Sequence, residues 1–249
     1  MNAGVRTLRL LASLQLSELI RDPLNLFFAV IFPGFFLVLY GVQANVPDAL
    51  PVSFVLPGMI ALALLQLCIF STAMPLLRAR DKGTLLHLSL TPLPRTAIIA
   101  VGVVVRAVAG LLQVLILLAV AVFGLHAPLP ANVPLFLLVV SLDVLMMISL
   151  GYLIAGLARS FSMGMLIMTV ANFTLMFLGQ VFFDARNVPT LGFVVRALPL
   201  TYASDAIRTV LSGTPGVLPL GIDLAFTIGW IGAAVVISKI WFKADFVAR

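Results

Sequence analysis

Charge is what this chain has least of. Lys, Arg, Asp and Glu make up 10% of its 249 residues, where soluble domains carry about a quarter. Cysteine is nearly missing too. Cys68 stands alone inside an apolar run, which excludes a disulfide framework and a thiolate metal site. The two histidines, His87 and His126, have no partner at ligand spacing and read as loop or interface residues, so no metal site is expected. The lysines are Lys82, Lys239 and Lys243, and none follows a Gly or precedes a Ser or Thr as a phosphate-binding loop requires. No Ser-x-x-Lys pair or nucleophile–base constellation occurs either. The chain therefore reads as a non-enzyme with no cofactor of its own. Energy for any uphill movement would come from an ion gradient or from another polypeptide.

What is abundant is apolar surface: 62% of residues are hydrophobic and the mean hydropathy is +1.21. About 20 apolar residues span a bilayer, so the length accommodates about six helices and little else. The expected fold is an all-α membrane protein of one transmembrane domain, residues 1–249. Its spans are read at 24–42, 54–77, 96–123, 133–157, 161–182 and 219–241. Residues 5–21 precede them as a helix lying along the membrane surface. Arg6, Arg9, Ser13, Ser17 and Arg21 recur at three- and four-residue steps, with Leu8, Leu11, Ala12 and Leu19 opposite. Leu10, Leu14 and Ile20 blur the stripe, and Asp22-Pro23 ends it. Ser13, Gln15, Ser17, Glu18 and Arg21 interrupt the stretch where a cleavable signal would need its apolar region.

The net charge of +6 is read as orientation rather than as affinity for nucleic acid. With both termini cytoplasmic, Arg6, Arg9, Arg21, Arg78, Arg80, Lys82, Arg95, Arg159, Lys239, Lys243 and Arg249 fall inside. The short outer loops 43–53 and 124–132 then hold no Lys or Arg. Segment 183–218, between the fifth and sixth spans, carries Arg186, Arg196 and Arg208 on the outer side. Its apolar runs near 188–198 and 201–211 are too short to cross, and Pro199 divides them. They are expected to form short helices that dip into the outer leaflet or cap the bundle; a plain outer loop is the alternative. No internal repeat supports the inverted symmetry of many secondary transporters.

The densest charge lies at 78–95, between the second and third spans, with four cations and one acid. A charged entry, Gly83, a short amphipathic run and a Pro-bracketed exit describe a water-facing loop fitted to dock a soluble partner.

Polar residues within the spans are few. Arg106 lies about ten residues into the third span, roughly 15 Å deep at 1.5 Å per residue, and Asp143 lies at a similar depth in the fourth. Each costs about 2.5–3.5 kcal/mol at the centre of a membrane helix. An Arg106–Asp143 ion pair is the expected relief; the alternative has Arg106 snorkelling inward and Asp143 facing a wet cavity. Gln66, Asn172 and Gln180 are expected to hydrogen-bond between helices, with contact to cargo as the alternative.

Three motifs together resemble the ABC-2 type permeases, the membrane subunits of ATP-binding-cassette exporters. Arg80, Gly83-Thr84-Leu85 and Thr91-Pro92 match the pattern between that family's second and third spans in order and spacing. Pro199-Leu200-Thr201-Tyr202, followed by Ala206-Ile207-Arg208, matches the pattern before the sixth span. Arg21-Asp22-Pro23, with Phe32-Pro33 ten residues on, looks like the drug-exporter branch. Leu86 stands where the family often has Glu, leaving Asp81 as the nearby carboxylate, and Leu198 stands where Asn is frequent.

The resemblance implies that the segment around 80–91 is a coupling helix seated in a groove of a cytoplasmic ATPase. Arg80, Asp81 and Lys82 would contact that partner, and Gly83 would allow the turn into the helix. Two ATPase copies would carry ATP and Mg. The membrane pathway would be formed with a second permease copy or a sister permease, among membrane lipids. Pro199, Thr201, Tyr202 and Arg208 would belong to an outer cap. Amphiphilic drug-like or lipid cargo is the expectation, since two Trp and three Tyr offer little aromatic platform for a lipid-linked polysaccharide. An ion-coupled carrier is the reading from another class, disfavoured because Asp143 is the one acid placed clearly mid-span. The resemblance places the protein in a cell inner membrane.

Overall fold

The computed structural model describes residues 3–23, 27, 31–43, 52–82, 95–179, 195–213 and 216–247. Among these there is no strand, and the elements are helices: α1 (Ala3–Arg21), α2 (Phe32–Gln43), α3 (Val52–Asp81), α4 (Arg95–Ala119), α5 (Val133–Leu157), α6 (Phe161–Leu178), α7 (Pro199–Ser212) and α8 (Leu220–Val247). A π-helical turn, Val120–Gly124, extends α4.

Among the described residues, five helices are long and apolar enough to cross a membrane: Phe54–Asp81, Thr96–Gly124, Val133–Leu157, Phe161–Leu178 and Leu220–Lys239. The first expected span, 24–42, is represented by the shorter α2; residues 24–26 and 28–30 lie outside the described residues, as do 180–182 of the fifth span.

Local chemistry sets the helix limits. Asn132 caps α5 by accepting the Leu135 N–H at 3.1 Å. Ala158 then takes an extended conformation, and Ser160 caps α6 by accepting from Met163 N–H at 3.2 Å. Pro199 opens α7, where its missing N–H costs nothing. Gly213 closes α7 at φ 67°, a left-handed conformation that glycine adopts without strain.

α3 is the hub. It is apolar all round, as a helix covered on every side must be, and residues Val55–Ile69 are buried without interruption. α2, α4, α5, α6 and α7 all pack on it, while α8 packs on α5 and α7. Close approach of α5 to α3 depends on Gly151: a Cβ there would lie 2.7 Å from the Thr72 Cβ and 3.2 Å from the Cys68 carbonyl. Cys68 itself is buried.

α1 lies against α4. Leu8, Leu11, Ala12 and Leu19 are half-buried while Arg6, Arg9, Ser13 and Arg21 are exposed; Ser17 of the expected polar stripe is half-buried as well. Leu10, Leu14 and Ile20 are more than half exposed, at 56%, 63% and 54%, an outer apolar surface suited to lipid. Of the two short helices expected in 183–218, the second corresponds to α7; most of the first lies outside the described residues. Leu200–Leu211 of α7 are buried apart from the half-buried Thr209, so this short helix is covered by protein.

Candidate functional site

One end of the bundle collects α1, the end of α3, the start of α4 and the α5–α6 turn. The expected loop begins later than the sequence suggests: residues 78–81 form the last turn of α3, and Lys82 is the exposed turn residue after it. Arg80 donates Nη1–H to the carbonyl of Ala158, and Asp81 accepts the Phe161 N–H at 3.2 Å and 3.3 Å. The two residues therefore clasp the α5–α6 turn from both sides of its break. Arg78 pairs with Asp22 at 3.5 Å, tying α3 to the end of α1. Gly83, Thr84, Leu85, Thr91 and Pro92, with His87, lie outside the described residues, as does Gln180.

Arg106 does not pair with Asp143. Its Nε–H donates to the Ser71 carbonyl at 2.9 Å, and Nη1 donates to Gln15 Oε1 and the Gly102 carbonyl, both at 3.0 Å. The Ser71 carbonyl needs a donor because Pro75, four residues on in α3, has no N–H to give it. Gly102 leaves space for the guanidinium, since a Cβ there would sit 2.7 Å from Nη1. A cavity of about 30 Å³ adjoins this node, lined by Gln15, Glu18, Asp22, Ser71, Arg78 and Arg106. That is room for little more than one water.

Asp143 is buried on α5. Its carboxylate is 1% exposed and interacts electrostatically with Asp223, which is 0% exposed. Neither carboxylate has a hydrogen-bond partner among the described residues, and the same is true of the Thr227 hydroxyl one turn along from Asp223. Gln66 and the Asn172 side-chain oxygen are buried on α3 and α6 without a partner there, so the helix-to-helix bonds expected of them are not formed between described residues. Gln113 makes one such bond, donating Nε2–H to the Ala63 carbonyl at 3.3 Å.

At the far end, α7 forms a cap. Asp205 accepts from Val217 N–H at 3.0 Å and Leu218 N–H at 2.9 Å, holding the approach to α8. Arg208 lies 3.7 Å from Asp205 and sits over the Phe54 ring at 4.2 Å, which ties α7 to α3. Tyr202 stacks on Phe226 of α8 with 4.5 Å between centroids and donates its O–H to the Arg196 carbonyl. Thr201 donates Oγ1–H to the Val195 carbonyl at 2.7 Å. The expected cap residues Pro199, Thr201, Tyr202 and Arg208 thus share one helix. An open groove of about 580 Å³ runs along α8 beside it, between Arg196 and Trp230 over Ala225, Gly229 and Ala233.

Sequence reasoning missed Asp205, Asp223, Thr227, Gln113, Gln15 and Ser71. A signal existed for three of them. Asp205 stands three residues before Arg208 on one helical face, and Asp223 stands four before Thr227.

A bundle of apolar crossing helices with cations gathered at one end defines a multi-pass membrane protein. A family model described as ABC-2 type transporter matches residues 6–212, and the chain belongs to that family. It is accordingly a membrane component of an ABC-type transporter. No curated protein matches the chain.

Proposed function

We propose that this chain is the permease subunit of an ATP-driven exporter that moves amphiphilic drug-like or lipid cargo outward across a cell inner membrane. A separate cytoplasmic ATPase docks on 78–95, with two ATPase copies serving two permease subunits, either identical or sister chains. ATP hydrolysis belongs to the partner, and both termini lie on its side. The distribution of Lys and Arg supports this orientation.

The observation that carries the reading is the clasp at the loop entry. Arg80 and Asp81 bind the α5–α6 turn at Ala158 and Phe161, so force delivered at the end of α3 reaches α5 and α6 as well. Arg80 and Asp81 then transmit force, while Lys82 and the residues after it make the docking surface. The exposed apolar faces of α4, α6 and α8 leave ample surface for lipid and for a second subunit.

Co-purification with the ATPase tests this. Lys82→Glu is expected to abolish association while leaving the permease as stable as wild type. An ATPase that co-purifies equally well with the variant would remove the loop from the docking surface. Failure of any ATPase to associate with wild type would leave an ion-coupled carrier as the better account.

A further inference from the structure

We propose that the groove on α8 holds an anionic phospholipid, with one acyl chain lying over Ala225, Gly229 and Ala233 and the phosphate on the Arg196 guanidinium. The inference goes beyond the exporter reading and stands whether or not an ATPase binds.

Small side chains make the groove. Ala225, Gly229 and Ala233 stand at four-residue steps on one face of α8, and all three are exposed. Phe226 and Trp230, each one residue further on, line the side of this floor. A Cβ at Gly229 would meet nothing within 4 Å, so the floor is open at its middle. From Ala225 to Ala233 it runs about 12 Å at 1.5 Å per residue, against roughly 15 Å for one hydrocarbon leaflet. The volume, about 580 Å³, suits a small-molecule site, and the lining side chains are apolar except for Arg196.

Arg196 heads the groove at its Phe226 end. Tyr202 sets it there, stacking on Phe226 with 4.5 Å between centroids while donating its O–H to the Arg196 carbonyl. Arg196 is exposed, and no carboxylate pairs with it among the described residues. The acids on the adjoining elements are placed otherwise: Asp205 holds the Val217 and Leu218 amides beside Arg208, and Asp223 is buried. The other cation of the cap, Arg208, is buried against Asp205 and the Phe54 ring. An exposed guanidinium at the head of an apolar groove is complementary to a molecule with a negative head and a hydrocarbon tail. Guanidinium donors match phosphate oxygens in a bidentate fork. A zwitterionic phospholipid carries its own ammonium beside the phosphate, so an anionic one gains more from Arg196. Bound there, the lipid joins the segment before α7 to α8.

A second copy of the chain is a poorer occupant. A two-fold contact through this groove sets the same patch against itself. It would bring two Arg196 guanidiniums together with no carboxylate on the patch to meet them.

Trp230 supplies the probe. In the full-length protein carrying Trp241→Phe, Trp230 is the one remaining tryptophan. Its fluorescence is titrated in detergent micelles with phosphatidylglycerol or phosphatidylcholine brominated on the acyl chains, and thermal stability is followed alongside. Half-quenching is expected at about tenfold less phosphatidylglycerol than phosphatidylcholine, the order of a hydrogen bond to a charged group. Arg196→Gln should weaken phosphatidylglycerol alone and bring the two lipids together. Gly229→Phe fills the groove and should weaken both lipids with the melting temperature kept. Should that variant fail to fold, Ala233→Phe fills the groove one turn along with the same expectation. Equal quenching by the two lipids in the Trp241→Phe parent, a preference that survives Arg196→Gln, or undiminished quenching in the filled variant overturns the proposal. So does a dimer in micelles that Gly229→Phe dissociates, since it would assign the groove to a second subunit.

Discussion

Arg106 donates its Nε–H to the carbonyl of Ser71 at 2.9 Å, and it does so because Pro75 leaves that carbonyl without its helical donor. A cation that is costly in the membrane thereby repairs a backbone defect on the neighbouring helix. Through Gln15 the same guanidinium also holds α1 against the bundle.

Arg106→Gln is therefore expected to destabilise the protein by about 1.5–3 kcal/mol, the usual worth of a hydrogen bond to a charged group. Pro75→Ala restores an N–H for Ser71, so the Arg106→Gln cost should shrink by about 1 kcal/mol in that background. Denaturation of the four proteins in detergent completes the cycle. The cycle with Asp143→Asn should be additive, since the two residues do not meet; a large coupling there would restore the ion pair.

The clasp at the end of α3 should be visible in amide exchange. Asp81→Ala leaves the Phe161 N–H without its acceptor, and Arg80→Ala frees the Ala158 carbonyl. Each is expected to cost about 1–2 kcal/mol locally and to speed exchange across 158–163. Unchanged protection there would show that the turn is held by packing alone.

Asp205 carries the cap on α7. Asp205→Ala removes the acceptor of two backbone N–H groups and leaves Arg208 buried without its carboxylate, a change expected to cost about 3–5 kcal/mol. Limited proteolysis should then cut near 213–219 in the variant and spare wild type. Arg208→Met, which keeps apolar contact with Phe54, should be milder than Arg208→Asp.

Two glycines should respond in opposite ways. Gly151→Val drives side-chain atoms into Thr72 and the Cys68 carbonyl, and overpacking of this kind costs about 1–3 kcal/mol. A Cβ at Gly229 meets nothing within 4 Å, so Gly229→Ala should leave the melting temperature unchanged or raise it slightly through better helix propensity. Equal losses at both positions would contradict the α3–α5 packing described here.

Much of the architecture was legible because hydropathy, proline and capping residues act locally. The run 133–157 coincides with α5, bounded by the Asn132 cap and the break at Ala158. Pro199 and Gly213 bracket α7 as their backbone preferences require. The site was legible only as a set of residue types. Equal depth suggested that Arg106 and Asp143 would meet, but depth fixes one coordinate out of three. Rotation about the helix axis turns Arg106 toward Ser71 of α3 and Gln15 of α1, away from Asp143.

By itself, then, the sequence determined that the chain is helical, where most crossing helices run, and which end gathers the cations. Those outcomes follow from backbone satisfaction and transfer free energy along the chain. The tertiary structure alone decided the partner of each polar group. Arg80 and Asp81 fasten the α5–α6 turn, Arg106 serves the carbonyl that Pro75 exposes, and Asp143 is buried without Arg106. A buried polar side chain takes whichever unsatisfied group the packing brings within about 3 Å, and that neighbour is set by contacts between helices distant in sequence.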